Sequence, residues 1–221
     1  MVNENRMLKL FDGLIPTFSA PIHVIELGAN DGFHTRVMTE ILNKHRLPWK
    51  YLAVEPDPRL QAEMPEGVTY VGAGIAQHTG KGTLFLSDGE HEGNRYTGSS
   101  SLRTPTRLLH EHWPHMTFDT CIETPTITLD DLCTNNEFGH VDFIWCDVQG
   151  CEVDVVRSGK TALKNTKWMF MEYANGELYE GQIPLIEIER ELDGIMRLHT
   201  DFRGDALFVN VNLDIPSLPD Y

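Results

Sequence analysis

Basic residues are scarce in this chain: 18 Lys and Arg stand against 33 Asp and Glu, a formal charge of −15. A field of that sign repels phosphate backbones, and no basic run interrupts it, which argues against nucleic acid as a substrate. No apolar run approaches the roughly 20 residues that span a bilayer, so no membrane partner is expected. Met1 to Leu14 lacks the basic-then-apolar layout of a secretory leader. Either the protein stays where it is made or a leader has been removed, and a cytoplasmic location is the expectation. The four cysteines, Cys121, Cys133, Cys146 and Cys151, form no C-x-x-C pair. Free thiols in a reducing compartment explain them better than disulfides or zinc. The dinucleotide fingerprint G-x-G-x-x-G is missing as well, and there is no internal repeat.

What is present suits one well-cored domain over residues 1–221, short for two. Leu8, Leu10, Phe11 and Leu14 share one helical face, so residues 1–20 read as a helical extension packed on the body. Strand and helix patterns then alternate, which predicts an α/β fold. Strands are expected at His23–Leu27, Tyr51–Glu55, Val68–Val71, Val141–Asp147 and Trp168–Glu172. Thr83–Ser87 and Cys121–Ile127 alternate like edge strands paired with each other. Helices are expected at Thr35–Lys44, Arg59–Met64, Glu152–Leu163 and Ile183–Leu192. Met196–Thr200 and Ala206–Val211, around Arg203-Gly204-Asp205, read as a closing antiparallel hairpin. From Asp88 to Thr120, glycines, serines and prolines predict a long irregular loop over the active site.

The most informative stretch is Ile22-His23-Val24-Ile25-Glu26-Leu27-Gly28-Ala29-Asn30-Asp31-Gly32. It reads as a strand buried on both faces that runs into a glycine turn and a helix. Gly28 and Gly32 let a flat ligand lie against main chain. Glu55, 27 residues beyond Gly28, ends the second strand within Val54-Glu55-Pro56-Asp57. There it either accepts the ribose hydroxyls of a nucleoside or starts the next helix, a role that Asp57 ahead of Pro58 fills more naturally. Gly72 and Gly74 either admit an adenine ring or simply serve a turn. Asp147, in Asp147-Val148-Gln149-Gly150, is placed at the end of a buried strand, as a general base or as a helix cap. Glu26, Glu55, Asp147 and Glu172 thus all fall at strand ends, the edge where open α/β sheets bind ligands.

The set Ile25-Glu26-Leu27-Gly28-Ala29-Asn30-Asp31-Gly32, Ala53-Val54-Glu55-Pro56, Thr128-Leu129-Asp130-Asp131-Leu132, Asp147-Val148-Gln149-Gly150 and Met171-Glu172, in this order, resembles the FkbM family of S-adenosylmethionine-dependent O-methyltransferases over roughly residues 20–212. The resemblance implies a class I methyltransferase fold: a Rossmann-like, mainly parallel sheet with helices on both faces and a C-terminal hairpin. It implies S-adenosyl-L-methionine as cofactor, S-adenosyl-L-homocysteine as product, and a sugar, glycan or natural-product hydroxyl as acceptor. Carried over by position, the cofactor side comprises Glu26, Gly28, Ala29, Asn30, Asp31, Gly32, Glu55, Pro56, Gly74, Ala76, Ser100 and Asp147. Asp147 and Glu172 are the candidates for taking the hydroxyl proton. One departure stands out: Gln149 replaces the glutamate usual in the family's Asp-Val-Glu-Gly.

Three alternatives stay open at this level. A divalent cation on the same acidic oxygens is one, although the donors fall short of a full set and no metal site is assigned. A non-catalytic nucleotide-binding module of the same fold is another, and an NAD-dependent oxidoreductase the third. His110, His112 and His115, around Trp113 and Pro114, read as a surface or substrate-facing loop rather than a zinc site. Trp113 and Tyr96 are candidates for stacking on a sugar face. Asn175, Glu177 and Tyr179 are candidates for the acceptor pocket.

Overall fold

The computed structural model describes residues 4–60, 64–91 and 94–216. In chain order the elements are α1 (Glu4–Leu14), β1 (Ile22–Leu27), α2 (Phe33–His45), β2 (Trp49–Val54), β3 (Val68–Val71), β4 (Gly74–Ile75), β5 (Gly80–His91), β6 (Asn94–Arg95), α3 (Arg107–His112), β7 (Met116–Ile127), α4 (Leu129–Asn135), β8 (Val141–Cys146), α5 (Glu152–Ser158), α6 (Lys160–Lys164), β9 (Thr166–Glu172), α7 (Leu185–Glu191), β10 (Met196–Asp201) and β11 (Asp205–Asn210).

Seven strands form the main sheet in the order β10-β11-β9-β8-β1-β2-β3. β1 pairs in parallel with both β2 and β8, and β8 in parallel with β9. β11 runs antiparallel between β9 and β10, as the expected closing hairpin requires. This is the class I methyltransferase sheet. The chain builds outward from β1 through β2 and β3, then returns to the other side of β1 as β8. That reversal opens a crevice at the carboxyl ends of β1 and β8.

Alternate residues of the central strands feed two cores. Ile25, Leu27, Ile144 and Cys146 pack on one face with residues of α4 to α7. Ile22, Val24, Phe143 and Trp145 pack on the other with Phe11, Leu14, Met38 and Leu42 of α1 and α2. Every residue of β1 and β8 is buried, which is why both read as largely apolar, with only His23, Glu26 and Asp142 polar.

The second sheet joins β5 and β7 as a long antiparallel pair, with β4 and β6 at its margins. The pairing expected of Thr83–Ser87 with Cys121–Ile127 is present within these longer strands. The irregular loop expected over 88–120 is not: β5 continues to His91, α3 occupies Arg107–His112 and β7 begins at Met116. β7 is mostly solvent-facing, so its apolar signal is weak. The helix expected over 152–163 breaks at Gly159, where a Cβ would lie 2.4 Å from Leu129 Cδ2. The helix expected over 59–64 is a 3-10 turn at Pro58–Leu60; residues 61–63 lie outside the described ones.

Candidate active site

The turn after β1 is shaped by close backbone contact. Gly28 has φ +85°, and a Cβ there would sit 1.8 Å from the carbonyl oxygen of Asp147. Only glycine lets the β1 and β8 termini approach this closely. Asn30 (φ 49°) and Gly32 (φ 76°) complete the bend into α2.

Glu55 sits directly after β2 and links two turns. One carboxylate oxygen accepts the Asn30 amide at 2.9 Å, the other the Asp57 amide at 2.8 Å. Burial, against these two bonds, pushes its pKa up to about 7. A carboxylate offers about four acceptor positions, so two remain for ligand hydroxyls. Glu26 is fully buried beneath the turn. Its Oε2 accepts hydrogen bonds from Thr35 (2.5 Å) and Tyr51 (2.7 Å), while Oε1 has no partner among the described residues. Burial likewise lifts its pKa to about 7.

Two cavities open on this edge. The first is lined by Gly28, Asn30, Glu55, Gly74, Ser100 and Asp147 among others. The second is lined by Tyr96, Trp113, Glu152, Glu172, Tyr173 and Tyr179 among others. Gln149 lines both. Its Nε2 donates to Asp147 Oδ1 at 2.6 Å and to Glu172 Oε2 at 2.9 Å, so one amide joins an acid of the first cavity to an acid of the second. The Asp147 charge, followed by burial, drives the Glu172 pKa well above the ordinary carboxylate value. Glu152, buried at the start of α5, is pushed up to about 7 by desolvation.

The segment over the cavities is latched at two points. Asp57 holds Arg59 at 2.6 Å and accepts the Ser100 hydroxyl at 2.8 Å. Burial works to raise the Asp57 pKa, yet the bonds from Arg59 and Ser100 hold it below the usual range. Arg103 spans from Asp154 (2.8 Å) to the Glu180 carbonyl (2.8 Å), and Thr106 bonds the Leu178 and Glu177 carbonyls.

Residues 26–204 match the family described as the methyltransferase FkbM domain. The chain belongs to the FkbM methyltransferase family. The 2-O-methyltransferase NoeI of Sinorhizobium fredii (strain NBRC 101917 / NGR234) is 31% identical over 234 residues, covering 95% of this chain and 94% of the relative. Among solved structures, the METTL16 MTase domain aligns at TM-score 0.48 and 12% identity, over 94% of this chain and 67% of that one. A human methyltransferase 10 domain containing protein aligns at 0.42 and 10%, over 95% and 81%. The fold assignment rests on this chain's own strand order.

As an FkbM methyltransferase, the chain brings together most residues expected at the cofactor side. Gly28, Asn30, Glu55, Pro56, Gly74, Ser100 and Asp147 all line the first cavity. Four do not. Asp31 is exposed and accepts the Phe33 amide at 2.9 Å in the turn that leads into α2. Ala29 is buried in the core with α2. Gly32 provides the left-handed entry to α2. Ala76 bonds the Ile127 carbonyl through its amide, and Ala73 and Ile75 line the cavity instead. Glu26 lies below the turn rather than on the wall. Glu172 faces the second cavity.

Trp113, Tyr96 and Tyr179 line the second cavity, whereas Asn175 and Glu177 accept the Leu185 and Gly181 amides. The histidine cluster does not converge: His112 bonds the Leu108 carbonyl and His110 packs edge-on to Phe118. No group of three or more His, Cys, Asp or Glu placed to hold a metal exists among the described residues. Gln149 Nε2 instead lies within hydrogen-bond distance of both Asp147 Oδ1 and Glu172 Oε2. Sequence reasoning missed Glu152 and the Arg103–Asp154 latch. Long-range pairs of this kind leave no mark in local spacing.

Proposed function

We propose that this protein is an S-adenosylmethionine-dependent O-methyltransferase acting on a hydroxyl of a sugar, glycan or natural product. The observation that carries this reading is the pair of cavities meeting at Gln149, one beneath Glu55 and the other walled by aromatic side chains. The residues fit the cofactor. Glu55 keeps acceptor capacity for ribose hydroxyls on the wall of the first cavity. Asn30 and Gly74 would flank the adenosyl group. When bound, adenosylmethionine supplies a sulfonium-activated methyl group.

The protein's part is alignment and proton removal. Holding an acceptor oxygen at attack distance supplies much of the acceleration in a displacement of this kind. Asp147, facing the cofactor cavity, takes the hydroxyl proton, and Glu172 sits on the acceptor side. Tyr96 and Trp113 offer flat faces to a sugar ring. The relative's name, 2-O-methyltransferase, supports oxygen as the atom methylated. The acidic surface disfavours nucleic acid as a partner. The free cysteines accord with action in the cytoplasm. No helix among the described residues is long and apolar enough to cross a membrane.

The test is calorimetry with adenosylhomocysteine and with NAD, followed by methyl transfer to a panel of glycans and natural-product alcohols. Binding of adenosylhomocysteine alone, with turnover on a hydroxyl acceptor, is expected. Binding of NAD in its place, or binding without any turnover across the panel, overturns the reading.

A further inference from the structure

Gln149 is a conformational exception. It has φ +50°, a region non-glycine residues seldom occupy, and a long polar side chain in a wall between two cavities. Its surroundings hold it there. The Ser101 hydroxyl donates to its carbonyl at 2.6 Å. Tyr179 packs so tightly on Gly150 that a Cβ on that glycine would lie 2.7 Å from Tyr179 Cβ. The Tyr179 hydroxyl, 3.0 Å from Gln149 Oε1, also lies 3.0 Å from the Ser99 carbonyl. A hydroxyl donating to Oε1 leaves the Nε2 face of the amide for the two acids. The reverse orientation would aim a carbonyl oxygen at the charged member of the pair, which is repulsive.

We propose that Gln149 is a positioning residue: its carboxamide, oriented by Tyr179 while Ser101 holds its backbone carbonyl, tethers Asp147 to Glu172 so that the two work as one unit. This rests on the methyl-transfer reading above and adds to it what the departure from glutamate does. In the transfer, the acceptor oxygen forms its bond to the methyl carbon and the carbon–sulfur bond breaks. The electron pair stays on sulfur to give the neutral thioether, and the hydroxyl proton passes to the charged carboxylate of the pair. A glutamate at this position would set a third acid between the two, and the cluster would retain a further proton to relieve the repulsion. An amide supplies both donors with no charge.

Several other groups bear on the pair. Glu152 faces it from α5 and Asp205 from β11, and both raise the Glu172 pKa. Tyr179 contributes from the β9–α7 connection, and the buried Cys146 thiol sits at the end of β8. Glu26 and Glu55 feel Asp147 across the glycine turn. Arg103 acts on Glu152 while paired with Asp154.

The experiment compares wild type, Q149E and Q149L. Potentiometric difference titration of the ligand-free proteins should find Q149E holding about one more proton per molecule than wild type between pH 6 and 8. The acid limb of its pH–kcat profile should move up by about one unit. Q149L removes the donors without adding charge, so its acid limb should move the same way by a smaller step. Its kcat should fall about tenfold while the KM for adenosylmethionine changes less than about threefold. A residue that only supported the fold would lower kcat at every pH and shift neither quantity. Equal proton counts with superimposable profiles would overturn the tether; if Q149E does not fold, the Q149L profile decides it. Wild-type protein that binds adenosylhomocysteine but methylates nothing counts against the methyl-transfer reading, and the titration still decides the tether.

Discussion

The backbone amide of Asn30 donates to Glu55 at 2.9 Å, joining the turn after β1 to the turn after β2. Two loops 25 residues apart in sequence thereby become one wall of the first cavity. Glu55→Ala should weaken adenosylhomocysteine binding by about 1–3 kcal/mol, roughly 5- to 150-fold in Kd. Calorimetry reads this directly, and an unchanged Kd would remove Glu55 from the cofactor site.

Glu26 predicts how stability responds to pH. Its pKa is about 7 in the folded chain against an ordinary 4.5, with burial as the first cause. Below about pH 4.5 the group is protonated whether the chain is folded or not. Between 4.5 and 7 the unfolded chain ionises while the folded chain keeps the proton, so this contribution to stability declines as pH rises and levels off above 7. Glu55 and Glu152 act with the same sign. Glu26→Gln should therefore raise Tm at pH 8, by about 2–3 kcal/mol of stability, and change it little at pH 4.5. Equal gains at both pH values would show that ionisation is not the cause.

Asp147→Asn keeps the size of the side chain and removes the base. Turnover should fall by about 100-fold or more, with adenosylhomocysteine affinity changed far less. Wild-type rates in this variant would rule Asp147 out of proton transfer.

Arg103 and Asp154 are both largely buried, at 17% and 12% side-chain exposure. Arg103→Met should cost about 2–3 kcal/mol of stability, because Asp154 then keeps Gln77 as a side-chain partner but loses the charge opposite it. The latch joins segment 101–106 to the 177–181 loop beside the second cavity, so acceptor KM should rise more than cofactor KM. Steady-state kinetics with each substrate varied would test this, and equal rises would show that the latch serves both cavities alike.

Trp113, 37% exposed, belongs to the second cavity and makes no contact with the first. Trp113→Ala should raise acceptor KM about tenfold, worth roughly 1.4 kcal/mol of stacking, and leave adenosylhomocysteine binding as it was. A matching loss of cofactor affinity would argue against a separate acceptor pocket.

Much of the fold was legible because its signals are local. β1 and β8 are buried on both faces, so each is mostly apolar, and Gly204 marks the closing hairpin. α4 passed unnoticed although Thr128 caps it by accepting the Asp131 amide at 3.0 Å, a signal present in Thr128-Leu129-Asp130-Asp131. The break at Gly159 was hidden, because a glycine within a helical pattern discloses nothing about Leu129 pressing on it from another element. Asp31 and Ala29 were placed at the site by their neighbourhood in the chain, yet the bend that brings Gly28 and Asn30 to the cavity turns Asp31 outward.

The linear order of residues determined the sheet, its working edge and the acids at the strand ends, since each follows from periodicity and turn chemistry within a few positions. Only the tertiary structure decided which acid serves which cavity, and that Gln149 binds Asp147 and Glu172 together. Those relations depend on β8 and β9 lying side by side, a juxtaposition set by packing over the whole sheet.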